Sequence, residues 1–337
     1  MLIYYILLFL SALIFASQFF VTKQYQRRNG TGFLGAVKLS LFAYFTIAVF
    51  FFVKGCITEK SLNFGFSPFT LLMTFLIAVV SLACVYMGIK ALKVGDMSIY
   101  SVFMMLGSII LPSFVGLVFY KEEFSWLKGL ALLLMITAIV FSITSVDKSK
   151  WNLKALLYYI GIFVMNGMIG VLFTIHQNQP ALTAAAFEQV VDGEIQYLVN
   201  NDVFMTWYGL STVILSLVIF GVYYLLKKFK PEVALKMTIG EDGEESVETE
   251  GNVVKAFAIT VGLAALYGLC NGLGDYFIAI ATQPHALGSS VTFPIINGGT
   301  IVFSTISGMV FFKEKLNVAK IISLALVVVS TVIFMFV

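Results

Sequence analysis

The chain spells FYKEEFSWLKG at residues 119–129 and FFKEKLNVAKI at residues 311–321, each time at the exit of a long apolar run. A charge-bearing phrase used twice in this setting points to a duplicated unit. Sliding the sequence over itself by 192 residues lays 95–128 on 287–320 without a gap. The identical pairs are Ser98/Ser290, Gly107/Gly299, Ile109/Ile301, Gly116/Gly308, Val118/Val310, Phe119/Phe311, Lys121/Lys313, Glu122/Glu314 and Lys128/Lys320. A second echo, offset by 190, pairs Tyr86 with Tyr276 and Ala91 with Ala281.

The surroundings of the phrase say what kind of unit is duplicated. Hydrophobic residues make up 60% of the chain, charged residues 12%, and the mean hydropathy is +0.97. A soluble domain carries about a quarter charged residues, so this chain has too little polar surface to cover a globule in water. Its solvent is lipid. Apolar runs of about 20 residues, each long enough to cross a ~30 Å hydrocarbon core as a helix, fall near 2–21, 33–53, 67–89, 97–119, 125–145, 153–175, 203–226, 254–281, 286–311 and 317–336. Backbone polar groups cannot go unpaired in hydrocarbon, so the runs are helices, and the alternating pattern of a membrane barrel is absent. No basic residue precedes the first run, which reads as an uncleaved first span.

The predicted fold is an all-α membrane protein: ten transmembrane helices in two inverted five-helix repeats, 1–147 and 148–337. Five is odd, so the second half enters the membrane from the opposite side. Of the 21 Lys and Arg residues, 17 lie in the loops after the odd-numbered spans. The positive-inside rule makes those loops cytoplasmic and both termini extracytoplasmic, in a plasma or inner cell membrane. Two connections are long. The outer loop 176–202 is acidic and is expected to hold a short amphipathic helix, as a lid or a plain connector. The cytoplasmic loop 227–252 is basic and then acidic, and reads as a solvated linker whose last half is disordered.

Several function classes drop out. A formal charge of +3 carries no nucleic-acid signal. Cys84 and Cys270 lie in apolar runs and Cys56 in a short loop, which gives neither a disulfide framework nor a metal spacing. There is no Walker loop and no nucleophile elbow. The glycines of GLCNGLGDY (268–276) lie within a span with no strand before them, and read as helix-packing contacts. No enzyme activity, cofactor or metal is expected.

Inverted repeats characterise secondary transporters, whose related halves exchange conformations about a site near the midplane. The two Gly…Phe-aromatic-Lys-Glu…Lys endings resemble those of the drug/metabolite transporter superfamily, particularly its EamA-like ten-helix members. The long outer loop and the FFVTKQYQRRNG exit of span one (19–30) look similar to the rhamnose and glucose uptake branch. The resemblance implies alternating access without ATP, and a small organic solute moved through a central cavity lined by spans one to four and six to nine.

Polar side chains inside the spans mark where such a cavity would lie, because each is costly in lipid and must face the bundle interior. Tyr267, Asn271 and Asp275 are spaced i, i+4, i+8 in span eight. Asn166, Gly170 and Thr174 form a stripe in span six, Asn297, Ser304 and Gly308 in span nine, and Ser101, Ser108 and Pro112 in span four. The candidate substrate-binding residues are Asn166, Tyr267, Asn271, Asp275, Asn297 and Ser108; the competing reading is that they staple helices together. Asp275 could carry a coupling proton, pair with a cationic substrate or accept hydrogen bonds from sugar hydroxyls, or could be a solvated helix-end residue. Pro112 and Pro294, in equivalent spans, are candidate gating bends. His176 and His285 fall near span ends, where a solvated or capping role is expected, and Glu122 and Glu314 read as solvated or loop-tying carboxylates. The expected partners are a small-molecule substrate, the lipid bilayer and a coupling proton, with no nucleic acid. The function expected is transport of a small polar organic solute, sugar or other metabolite. The rivals are export of an amphipathic or cationic compound, and a non-transporting membrane scaffold.

Overall fold

The structure, a computed structural model, describes residues 2–59, 65–94, 96–119, 125–144, 153–184, 186–191, 194–238, 253–281, 289–334 and 336. The described residues form helices α1 (Leu2–Asn29), α2 (Phe33–Glu59), α3 (Pro68–Val94), α4 (Met97–Phe119), α5 (Trp126–Thr144), α6 (Leu153–Gln177), α7 (Asn201–Phe229), α8 (Pro231–Thr238), α9 (Val253–Ala281), α10 (Ser289–Phe312) and α11 (Val318–Phe334). Among the described residues, nine of these helices are long and apolar enough to cross a membrane. α11 is apolar but has 17 residues, a reach of about 25 Å.

Side-chain burial is inverted relative to a protein in water. Ser11, Thr74, Thr212, Ser304 and Ser330 are fully buried, whereas Phe45, Leu72, Leu133, Ile214 and Val329 are exposed. Large apolar side chains can turn outward at no cost only if the medium is itself apolar, while hydroxyls turn inward to find partners. The fold is an all-α, multi-pass membrane fold.

Two expectations need correction. Among its described residues, the segment 176–202 holds no amphipathic helix of its own. It makes a short 3₁₀ turn, Pro180–Leu182, and then an antiparallel hairpin of β1 (Phe187–Val191) and β2 (Glu194–Leu198), with Val191 opposite Glu194. The two residues between the strands in sequence are Asp192-Gly193, the pair that two-residue hairpin connections favour. Cys56 lies within α2 and not in a loop. The last half of loop 227–252 lies outside the described residues; its first half is the end of α7 and α8.

The chain divides into two compact units that cut across the sequence halves. Unit 1 comprises Met1–Phe20, Val94–Asn178 and Leu273–Val337; unit 2 comprises Val21–Lys93 and Gln179–Gly272. The boundaries fall inside α1 and α9, which each contribute to both.

In unit 1, α5 and α11 pack along Ala131, Met135, Ala138 and Ser142 on one side and Lys320, Ser323, Val327, Ser330 and Phe334 on the other. These alternate by three and four residues, the spacing of a coiled-coil seam. Ser323 donates to the Ala138 carbonyl and Ser330 to the Ala131 carbonyl, both at 2.8 Å. One number rises as the other falls, so the pair is antiparallel. The small alanines let the backbones approach, and the serine hydroxyls supply the polar glue that lipid cannot. α4 and α6 meet still more closely. A Cβ on Gly107 would overlap the Phe163 carbonyl, and Gly170 lies against Pro112.

In unit 2, α2 packs antiparallel on α7, and α8 folds back onto both. Asn200 caps α7 by accepting from the Val203 amide at 3.1 Å. Asp202 in the first turn, a favourable place for a carboxylate at a helix N-terminus, holds the Lys54 ammonium of α2 with both oxygens at 2.8 Å.

Candidate functional site

Unit 1 leaves one predicted residue with an unmatched donor among the described residues. Asn297 lies on α10, 3% exposed, and its Nδ2 has no hydrogen-bond partner among the described residues. Its neighbours along the chain explain how it is held. Thr300 donates to the Ile296 and Ala12 carbonyls, Gly299 lies against Ala12 of α1, and Thr292 donates to the Ala281 carbonyl of α9. Ser11 of α1 donates to the Gly274 carbonyl, beside Asp275, at 3.2 Å. α1, α9 and α10 are thus fixed by hydroxyl-to-carbonyl bonds around an apolar plug of Leu8, Phe15, Ile278, Phe293 and Ile296. A buried amide N–H left unpaired costs about 1–3 kcal/mol, and such groups are rare enough that each calls for an explanation.

Other predicted residues act as ties. Asn166 donates through Nδ2 to the Met104 carbonyl at 2.7 Å, binding α6 to α4. Ser108 donates to Met105 in its own helix at 2.9 Å. Pro112 is buried against α6, and the Pro294 carbonyl accepts from Thr331 of α11 at 3.4 Å. Tyr267 and Asn271 are buried in unit 2, whereas Asp275 is partly exposed and belongs to unit 1. His176 is fully buried, which removes the solvated half of the solvated-or-capping expectation: the last turn of α6 is packed over. His285 and Glu122 lie outside the described residues.

The second copy of the repeated phrase has a clear structural job. Lys313 takes a left-handed backbone (φ 56°), and the Glu314 amide returns to the Gly308 carbonyl at 3.1 Å. This turn aims the Glu314 carboxylate at the start of α4, where it accepts from the Met97 amide (2.7 Å), the Ser98 amide (3.3 Å) and the Ser98 hydroxyl (3.1 Å). Those amides are among the first N–H groups of a helix, which have no partner of their own. Lys320 pairs with Asp96 just before the same helix.

Sequence reasoning missed a buried hydroxyl network in unit 2. Tyr208 of α7 shares hydrogen bonds with Tyr44 of α2 at 2.7 Å and Ser81 of α3 at 2.6 Å, and Ser211 bonds Thr74 at 3.1 Å. The signal was present: Tyr208, Thr212 and Ser216 follow the same i, i+4, i+8 spacing as Tyr267, Asn271 and Asp275.

Two grooves open on apolar faces. One, of about 620 Å³, is lined by Phe45, Val49, Phe50, Val53 and Ile57 of α2; the other, of about 370 Å³, by Phe9, Gly298, Gly299, Phe303 and Val328. None of the predicted binding residues lines either. No group of three or more potential metal ligands occurs among the described residues.

No protein-family model matches the sequence, and no curated protein does. Among solved structures, 28 chains match. One, described only as the crystal structure of a protein, superposes on 98% of this chain and 94% of its own, with a TM-score of 0.57 at 13% identity. At that identity the likeness is one of fold alone.

Proposed function

We propose that the protein is a secondary transporter of a small polar organic solute, working by alternating access across ten spans arranged as two inverted five-helix repeats. The observation that carries the functional reading is the Asn297 amide: a donor buried in a membrane fold, lacking a partner among the described residues. A solute oxygen, from a hydroxyl or carbonyl, would satisfy it; an ammonium group would not, having no lone pair to offer. This favours a sugar or similar metabolite over a cationic export substrate.

The packing supports the repeat. Under a 5+5 division α2 corresponds to α7, α4 to α10 and α5 to α11, and each packs against its own counterpart, as helices beside a two-fold axis do. Gly107 of α4 meets α6, and its sequence counterpart Gly299 of α10 meets α1; α1 and α6 are the helices that open the two halves. In this reading the bends at Pro112 and Pro294 serve the gate. Orientation remains as the charge asymmetry puts it, with both termini extracytoplasmic. In a cysteine-free variant, Arg28→Cys should label only from the cytoplasm and Glu188→Cys only from outside; the reverse pattern overturns it.

The test of function is a thermal-shift screen of the purified protein against neutral sugars, polyols and organic cations, followed by uptake of the hit into proteoliposomes. Asn297→Ala should abolish the shift and reduce uptake at least tenfold, because a lost hydrogen bond to a buried partner costs about 1.4 kcal/mol or more, while the ligand-free midpoint is retained. Pro112→Ala should alter uptake rate with binding retained. If Asn297→Ala binds the hit as the parent does, Asn297 is a packing residue and the site lies elsewhere.

A further inference from the structure

One end of unit 2 gathers positive charge and exposed apolar side chains in the same place. Arg27 and Arg28 close α1, Lys227 and Lys228 close α7, and Lys230 and Lys236 flank and enter α8; all six are exposed. The fold brings these segments together. α8 packs on α7 and α2, with Ala234 buried, and the Thr238 carbonyl sits against Gly32 in the turn between α1 and α2. Asn29 of α1 accepts from Thr260 of α9 at 3.1 Å. Glu232 is the one carboxylate among the described residues of this end.

Among the lysines stand apolar side chains left uncovered by the described residues of the unit. Phe229 is 71% exposed, Leu235 55% and Val233 44%, and the Lys228 ammonium lies 5.5 Å from the centre of the Phe229 ring. A short helix with one small residue buried, Lys236 beside apolar side chains on its free faces and Lys230 just before it suits the plane where acyl chains give way to headgroups. There the apolar parts enter the hydrocarbon and the ammonium groups reach back to phosphate.

We propose that this surface, built from the ends of α1 and α7 and the whole of α8, docks anionic phospholipid headgroups of the adjacent leaflet. Each Lys or Arg near an anionic surface adds to the attraction, so six acting together give a marked preference over zwitterionic lipid. The chain has its own acidic run nearby, with Glu241, Asp242, Glu244, Glu245, Glu248 and Glu250. That run offers charge but, beyond Val247, no apolar side chains to match Phe229, Val233 and Leu235. Lipid satisfies both halves of the surface and the acidic run only one.

The experiment is native mass spectrometry of the full-length protein in neutral detergent, titrated with dioleoyl-phosphatidylglycerol or dioleoyl-phosphatidylcholine. Phosphatidylglycerol should be retained on the order of tenfold more strongly, and the preference should weaken with salt. Lys227→Gln, Lys228→Gln, Lys230→Gln and Lys236→Gln together should bring the two lipids within about twofold, whereas Lys315→Gln, in unit 1, should not. Free glycerol phosphate at millimolar concentration should leave the bound lipid in place. Equal retention of the two lipids by the parent protein overturns the proposal, as does a preference that survives the fourfold variant. Displacement by glycerol phosphate would make this a soluble-phosphate site instead. A preference that emerges only after the six acidic residues are neutralised would mean that the chain covers its own surface.

Discussion

Gly107→Ala should cost the protein its fold, although it adds a single methyl group. A Cβ at this position overlaps the Phe163 carbonyl oxygen and crowds that residue's backbone. Backbone cannot rotate aside as a side chain can, so α4 and α6 must separate. Separation would also pull apart Gly167 from the Gly107 carbonyl, Gly170 from Pro112, and the 2.7 Å bond from Asn166 to Met104. Overpacking a tight interface costs about 1–3 kcal/mol and more when helices must shift, and in lipid no hydrophobic effect remains to push the helices back together. The expected result is an aggregated or early-melting protein by fluorescence-detected size exclusion, with a midpoint lower by about 5–10 °C, since ~1 kcal/mol corresponds to about 2–4 °C at larger domain sizes. Gly221→Ala is the control. Nothing lies within 4 Å of a Cβ there, so alanine should be neutral or mildly stabilising, by up to about 1 kcal/mol. If the two variants melt together, the close approach of α4 and α6 is not what holds unit 1.

That contact could not be read from the sequence, although the glycine could. The helices themselves were legible because hydrocarbon leaves the backbone no alternative: the apolar runs 97–119 and 125–145 correspond to α4 (Met97–Phe119) and α5 (Trp126–Thr144) within one residue. Outside the hydrocarbon that constraint lapses. The segment around Asp192-Gly193 was free to pair as strands, and this turn-favouring pair outweighed the helix-like spacing of Phe187, Val190 and Val191. Polar stripes were legible as interior faces but not as roles. Asn166 and Asn297 look alike in sequence, yet one spends its amide on a backbone carbonyl and the other has no partner among the described residues. Such a difference depends on the neighbouring helix, which sequence spacing does not specify. The division into units, cutting α1 at Phe20 and α9 at Gly272, is likewise a property of packing and not of the chain's halves.

Glu314→Ala should be the second severe change, and it tests why the phrase is spelled twice. The carboxylate accepts three hydrogen bonds at the start of α4, two from backbone amides that the helix cannot satisfy itself. Losing a capping side chain costs about 0.5–2 kcal/mol, and hydrogen bonds to a charged acceptor run to about 1.5–3 kcal/mol; because this site is part-buried, about 2–3 kcal/mol in total is expected. Glu314→Gln keeps one acceptor oxygen and should lose roughly half as much. Ser98→Ala removes only the hydroxyl, leaving both amides bound, so its cost should be ~1 kcal/mol. Combined with Glu314→Ala, it should add almost nothing, since the partner has already gone. Gly308→Ala should reproduce part of the effect by a different route: its Cβ would stand 2.6 Å from the Glu314 Oε2 and push the carboxylate off the helix. Thermal midpoints of the four single variants and the one double variant supply the test. Additivity of Ser98→Ala with Glu314→Ala would mean the bonds are not coupled, and the turn would then be a loop whose charge serves only solubility. The repeat adds one more arm, which rests on sequence alone. If Glu122 ends span four as Glu314 ends span nine because one inverted unit was used twice, Glu122→Ala should destabilise the protein to a similar degree; a silent Glu122→Ala beside a severe Glu314→Ala would argue that the second phrase is an echo without the same job.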